Sequence, residues 1–132
     1  MSLAIKRVYD PPEASDGVRV LVDRLWPRGL AKDKAKVDRW MKELAPSDAL
    51  RKWFGHDPAK WAEFRKRYAV ELRDSRELIK ELAATARRGR VTLVYAARDE
   101  QHNNAVVLAD VIKKRPRGRR PKAAPPGRRR KA

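Results

Sequence analysis

The sequence predicts an α/β fold: a small, largely parallel sheet with helices packed on it, in a single domain that ends in a basic tail. Three observations carry this expectation. Val18, Val20 and Val22 alternate with Arg19, Leu21 and Asp23, and a strand apolar on nearly both faces belongs in a covered, largely parallel sheet. Val91, Leu93 and Tyr95 recur with the period of a strand, and Ala105, Leu108, Ala109 and Ile112 with that of a helix face. The interval between these two strands is long enough, and helical enough in pattern, for a parallel crossover.

Taken in order, residues 4–9 form a first short strand with Ile5 and Val8 as its apolar members. Asp10, Pro11 and Pro12 end it, because proline cannot donate to a ladder. The strand around Val20 runs into Arg24, Leu25, Trp26, Pro27, Arg28 and Gly29, where Pro27 forbids regular pairing and Gly29 permits a positive φ, so the chain swings away. Residues 31–45 fit two structures: Val37, Trp40, Met41 and Leu44 suit a helical face, and the short span before Pro46 suits a strand equally well. Ser47 is placed to cap a brief helix through Leu50, Trp53 and Phe54 that Gly55 ends. Asp57 as N-cap and Pro58 at the first position announce the next helix, whose Trp61, Phe64, Tyr68 and Leu72 share a face as core anchors. Asp74 with Glu77 resembles a capping box for a further helix carrying Leu78, Ile79, Leu82 and Ala86, stopped at Gly89.

The totals set limits. A chain of 132 residues with 42% hydrophobic content supports one domain and a modest core. Eleven Lys or Arg and no acid fall within residues 113–132, so of the net +17 only +6 belongs to residues 1–112. The expected division is therefore an α/β domain over residues 1–112 and a flexible basic tail over residues 113–132, which has no apolar side chain larger than alanine to offset the entropy of ordering. With no cysteine, disulfides, thiolate catalysis and Cys-ligated zinc are excluded. No apolar run approaches the roughly 20 residues that span a bilayer, and Lys6, Arg7 and Asp10 interrupt any signal peptide, so the expectation is a soluble, cytoplasmic protein.

Residues 20–29 (VLVDRLWPRG), 44–47 (LAPS), 50–58 (LRKWFGHDP) and 93–99 (LVYAARD), followed by Asn103 and Ala105, stand in one order. Together they resemble the YeaO-like branch of the bacterial domain-of-unknown-function 488 family over about residues 4–114. The resemblance carries no assigned reaction, cofactor or catalytic residue. The wider family often has a cysteine and a Cys-His-Arg string near the last strand and helix. Here Tyr95 and the run His102, Asn103, Asn104 occupy those places, so a thiol mechanism does not carry over.

Ligands of open parallel sheets gather beyond the carboxyl ends of the strands. The two clearest strands end in Asp23 and Arg24 with Arg28 nearby, and in Arg98 and Asp99 with His102 nearby. If these ends are neighbours, Arg24, Arg28 and Arg98, with Asn103 at the following helix start, form a site for a phosphate or carboxylate, which guanidiniums grip at two points. The alternative is that the arginines pair structurally with Asp23, Asp99 and Glu100. His102, oriented by Asp99 or Asp23, has the chemistry of a general acid or base, and His56 is the other imidazole. Neither sits in a known catalytic spacing, and a loop histidine beside a cap is ordinarily a structural hydrogen-bonder. No metal-ligand spacing and no phosphate-cradling glycine loop is present, so no cofactor is expected.

In the tail, residues 114–122 (KRPRGRRPK) resemble an AT-hook, with Arg117, Gly118 and Arg119 matching its core and Arg120 inserted before Pro121. A glycine without a side chain lets extended backbone enter a narrow minor groove, while flanking cations, here Arg115, Arg117, Arg119, Arg120 and Lys122, meet the deep negative potential of A·T tracts. A generic polybasic tail that binds any polyanion is the alternative. An anionic membrane surface is not favoured, since no second anchor accompanies the charge. The sequence thus points to a binding protein with duplex DNA and a small phosphorylated ligand as partners. A hydrolase or transferase acting on a phosphorylated or nucleic-acid substrate, and a non-catalytic scaffold, are the other readings.

Overall fold

A computed structural model of the chain describes residues 1–114. Four strands, β1 (Ser2–Arg7), β2 (Val18–Leu21), β3 (Arg39–Trp40) and β4 (Arg90–Tyr95), form one sheet in the order β1-β4-β2-β3. Every pairing is parallel, as the sequence predicts. The last of these four strands, β4, is thus central. Its neighbours end in step with it: Arg7 lies opposite Tyr95, and Leu21 opposite Val94. The ladders run one residue further, through Val8 N–H to the Tyr95 carbonyl at 2.7 Å and Val22 N–H to the Val94 carbonyl at 3.2 Å.

The strand alternation sends two sets of side chains to opposite faces. Val20, Val22, Val91, Leu93 and Tyr95 join the main core, which the longer helices cover: α2 (Asp48–Phe54), α3 (Trp61–Leu72), α4 (Arg76–Arg88) and α5 (Asn104–Lys114). Phe64, Tyr68 and Leu72 are buried along α3, and Ile79, Leu82, Ala83 and Ala86 along α4, which are the helix faces that the periodicity predicts. The opposite face carries a smaller cluster of Val8, Leu21, Ala35 and Val94, covered by Trp26, Leu30, Val37 and Trp40 and by the one-turn helix α1 (Lys32–Ala35). All the long helices therefore lie on one side, and a mainly irregular segment closes the other.

That thin face also holds a buried ion pair. Arg19, 3% exposed, contacts Asp16 at 2.7 Å and donates to the carbonyls of Ala35 and Lys36. Lys6 reaches Asp16 at 3.2 Å, and Thr92 donates to its carbonyl at 2.7 Å. The turn that presents Asp16 closes at Gly17, whose φ of +66° suits glycine. A Cβ there would lie 2.2 Å from the Arg90 carbonyl oxygen.

Local capping follows the sequence closely at α2. The Ser47 hydroxyl accepts from Leu50 N–H at 3.1 Å, and Gly55 closes the helix in the left-handed region with φ +53°. Asp57 accepts from Ala59 N–H at 3.0 Å, with Pro58 opening a 3-10 turn that leads into α3. Two expectations are corrected. The first strand lies two residues earlier than residues 4–9, so Val8 is buried just beyond its end and Ile5 is on the outer edge. Asp74 and Glu77 form no capping box: a 3-10 turn, Arg73–Ser75, joins α3 to α4 and leaves no extended cap residue to present a side chain. Helix α5 runs from Asn104 to Lys114, the last described residue. The ambiguity of residues 31–45 resolves into α1, the two-residue β3 and a 3-10 turn, Lys42–Leu44. Residues 115–132, with Arg115, Arg117, Gly118, Arg119, Arg120 and Lys122, lie outside the described residues. Among the described residues, no helix is long and apolar enough to cross a membrane.

Candidate functional site

Beyond the carboxyl ends of β2 and β4 the chain departs in opposite senses. After Leu21 it crosses to the thin face, and after Tyr95 it turns into α5 on the helical face. Such a divergence opens a crevice in a parallel sheet. A cleft of about 740 Å³ occupies it, lined by Arg24, Arg28, Arg98, Asp99, His102 and Asn103 among others. The two stretches that the sequence singles out, more than 70 positions apart, thus meet at one concavity.

Asp23 is the junction. Its Oδ2 accepts from Ala96 N–H at 2.9 Å and its Oδ1 from Asn104 Nδ2 at 3.0 Å. Asn104 also donates to the Val22 carbonyl at 2.8 Å. One carboxylate therefore ties the end of β2 to the end of β4 and to the first turn of α5. Burial pushes its pKa above the ordinary carboxylate range, with the Asn104 and Ala96 donors opposing that rise.

The turn bearing Arg24 and Arg28 is pinned by two indoles. Trp40 Nε1 donates to the Asp23 carbonyl at 2.8 Å and Trp26 Nε1 to the Leu30 carbonyl at 2.7 Å, while the two rings meet edge to face at 5.4 Å. Tyr9 OH donates to the Arg28 carbonyl at 2.8 Å, and Arg24 Nε to the Pro46 carbonyl at 3.3 Å. The backbone is thereby fixed while the guanidinium charges stay unneutralised. Among the described residues, no carboxylate lies within ion-pair distance of Arg24, Arg28 or Arg98. The structural pairing with Asp23, Asp99 and Glu100 is not formed.

The loop before α5 is organised by Asp99. Its Oδ1 accepts from the N–H groups of Gln101 at 2.9 Å and His102 at 3.0 Å, and its Oδ2 stands 2.9 Å from His102 Nδ1. These partners, the Gln101 N–H foremost and the imidazole next, hold its pKa below the usual range. The His102 ring meets Trp61 edge-on at 5.1 Å, which fixes its plane. Both ends of the Asn103 amide are engaged: Oδ1 caps α5 by accepting from Val106 N–H at 3.1 Å, and Nδ2 donates to the Asp99 carbonyl at 2.9 Å. Its side chain shapes the site from a buried position.

Among the lining residues that escaped the sequence reading of the site are Tyr9, Arg51, Phe54 and Phe64. Tyr9 belongs there because β1 pairs with β4 and ends level with it, a fact that only the sheet order supplies. Arg51, on α2, reaches the cleft while paired to Asp48 at 2.6 Å. Phe54 and Phe64, stacked at 4.3 Å, carry core periodicity and line the cleft as well. His56, the second imidazole, lines the same cleft from a left-handed backbone with φ +56°.

Residues 2–127 match a family model described as the inactive DUF488-N3 subclade. The chain is 46% identical over 113 residues to the Escherichia coli protein described as uncharacterized protein YeaO, covering 86% of this chain and 98% of that one. It is 44% identical over 108 residues to uncharacterized protein Rv3073c of Mycobacterium tuberculosis and to uncharacterized protein Mb3100c of Mycobacterium bovis, covering 82% of this chain and 91% of each relative. No solved structure matches the chain.

Proposed function

Because the chain belongs to the YeaO-like branch of the DUF488 family, within the subclade described as inactive, we propose that it is a binding protein that holds a phosphate-type anion in the cleft at the ends of β2 and β4. The observation that carries this reading is three guanidiniums, of Arg24, Arg28 and Arg98, on one concavity with no carboxylate at ion-pair distance among the described residues. Unpaired guanidiniums held on a fixed backbone suit two-point recognition of an oxyanion. A cytoplasmic setting agrees with the absence of cysteine.

The basic tail adds a second partner. Its charge density supplies non-specific attraction to duplex DNA, and the AT-hook-like stretch around Arg117, Gly118 and Arg119 suits an A·T-rich minor groove. A catalytic alternative rests on the contact of Asp99 with His102, which would let the imidazole move a proton for a hydrolase or transferase. Membership of a subclade described as inactive favours binding over that chemistry.

The test is thermal unfolding in phosphate or sulfate against chloride at matched ionic strength. A ligand that binds the folded state at 100 times its Kd adds about 2.7 kcal/mol, so phosphate should raise Tm in the wild type. It should do so far less in an Arg28→Ala, Arg98→Ala double variant. Equal Tm in phosphate and chloride, or an equal rise in the variant, removes the anion site.

A further inference from the structure

We infer that the ligand of this cleft is a mononucleotide, a phosphomonoester carried on a flat base; this rests on the anion reading and goes beyond it. The cleft, about 740 Å³, falls within the roughly 300–1,000 Å³ typical of sites for small organic molecules. A bare tetrahedral oxyanion needs the room of only a few waters, about 30 Å³ each. A ligand with a body fits the space better than an ion does.

The walls say what kind of body. Alongside the guanidiniums the cleft lining includes the exposed Leu25 and His56, together with Pro46, Phe54 and Phe64, which are themselves buried. Leu25 is 64% exposed, an uncovered aliphatic side chain on a concave rim. His56 follows Gly55 through two successive left-handed residues, φ +53° and +56°. A non-glycine residue pays for that conformation, and such strain gathers at ligand-binding sites. The turn brings the imidazole into the lining, 6.2 Å from the Phe54 ring. An apolar, planar surface on the ligand would cover Leu25 and the His56 ring.

Asp23 narrows the class further. Each of its oxygens accepts one protein hydrogen bond, and a carboxylate oxygen has room for another. The Asp23 side chain lines the cleft without an arginine partner. A ligand seated there meets a carboxylate as well as cations, so it should bring N–H or O–H donors besides its anionic end. Inorganic phosphate lacks the apolar body, and a phospholipid or fatty acid lacks the donors close to a flat ring. A nucleoside monophosphate has the anion, the planar body and the sugar hydroxyl or ring amine donors together.

Calorimetric titration of the full chain with AMP, GMP, CMP and UMP, against inorganic phosphate and ribose 5-phosphate at one ionic strength, tests this. At least one mononucleotide should bind about tenfold or more tightly than phosphate and ribose 5-phosphate, the margin expected from burying roughly 60 Å² of apolar ring surface. Leu25→Ser and His56→Asn, both at exposed positions, should erase most of that margin. Arg28→Ala should weaken all the ligands, which separates the cleft from the basic tail that every variant retains. Nucleotides that bind no tighter than ribose 5-phosphate, or a margin untouched by both rim variants, overturn the nucleotide assignment while phosphate binding still upholds the anion reading. Absence of binding by phosphate and nucleotides alike overturns both.

Discussion

Asn104 Nδ2 lies 3.0 Å from Asp23 Oδ1 and 2.8 Å from the Val22 carbonyl, so the first residue of α5 clasps the end of β2 across more than 80 positions of chain. Losing that side chain leaves two partly buried acceptors without their donor. Asn104→Ala should cost about 1–3 kcal/mol, read as a lower urea midpoint at unchanged m. It should also weaken phosphate stabilisation, because Arg98 and Arg28 sit on the two sides of that clasp. An unchanged midpoint would show that the junction is held elsewhere.

The pair of Asp16 with Arg19 makes a sharper prediction. Both side chains are almost wholly buried, at 8% and 3% exposure. Removing one partner strands a charge away from water, so Asp16→Ala should destabilise the fold by about 3–5 kcal/mol. Lys6, which shares Asp16, would lose its partner too. A loss below about 1 kcal/mol, in the range of exposed pairs, would mean that water reaches Arg19.

The two carboxylates of the cleft should titrate apart. Burial raises the pKa of Asp23, so its share of stability is full at low pH and fades as pH rises through its folded value. Hydrogen bonds lower that of Asp99, so its share is present above the ordinary carboxylate range and is lost as pH falls through its folded value. Side-chain carboxyl ¹³C shifts followed against pH should place the Asp99 midpoint below that of Asp23. Coincident or reversed midpoints would contradict the geometry around both groups.

Deleting residues 115–132 removes nine Lys and Arg. If all nine contact phosphates, the slope of log K against log salt for duplex DNA should shrink by up to about 8. Affinity should fall at every salt concentration tested. A slope within one unit of that of the intact chain would place the DNA contact in the folded domain.

The parts of the fold readable from sequence were those set by neighbours in the chain. Ser47, Gly55, Asp57 and Pro58 each act within a few residues, and their capping chemistry appears as expected. What escaped was settled by distant pairing. Val37, Trp40, Met41 and Leu44 suit one helical face, yet Val37 and Trp40 pack on the thin side of the sheet while Met41 and Leu44 enter the main core. A local period cannot report that split, because Trp40 lies in β3, whose pairing with the distant β2 sets the face it takes. The site behaves likewise. Arg24, Arg28 and Arg98 were legible because each follows a clear strand, whereas Tyr9 required knowing that β4 inserts beside β1.

The segment after β2 has two jobs in one stretch of chain. It carries Arg24 and Arg28, and through Trp26, Leu30, Val37 and Trp40 it roofs Leu21 and Val94. Peeling it back to release a captive molecule would wet the sheet beneath. If the cleft holds an anion as proposed, grip and integrity are coupled: a filled cleft should slow amide exchange on the far side of β2 and β4, and a loosened roof should let go of its guest before the helical side has begun to melt.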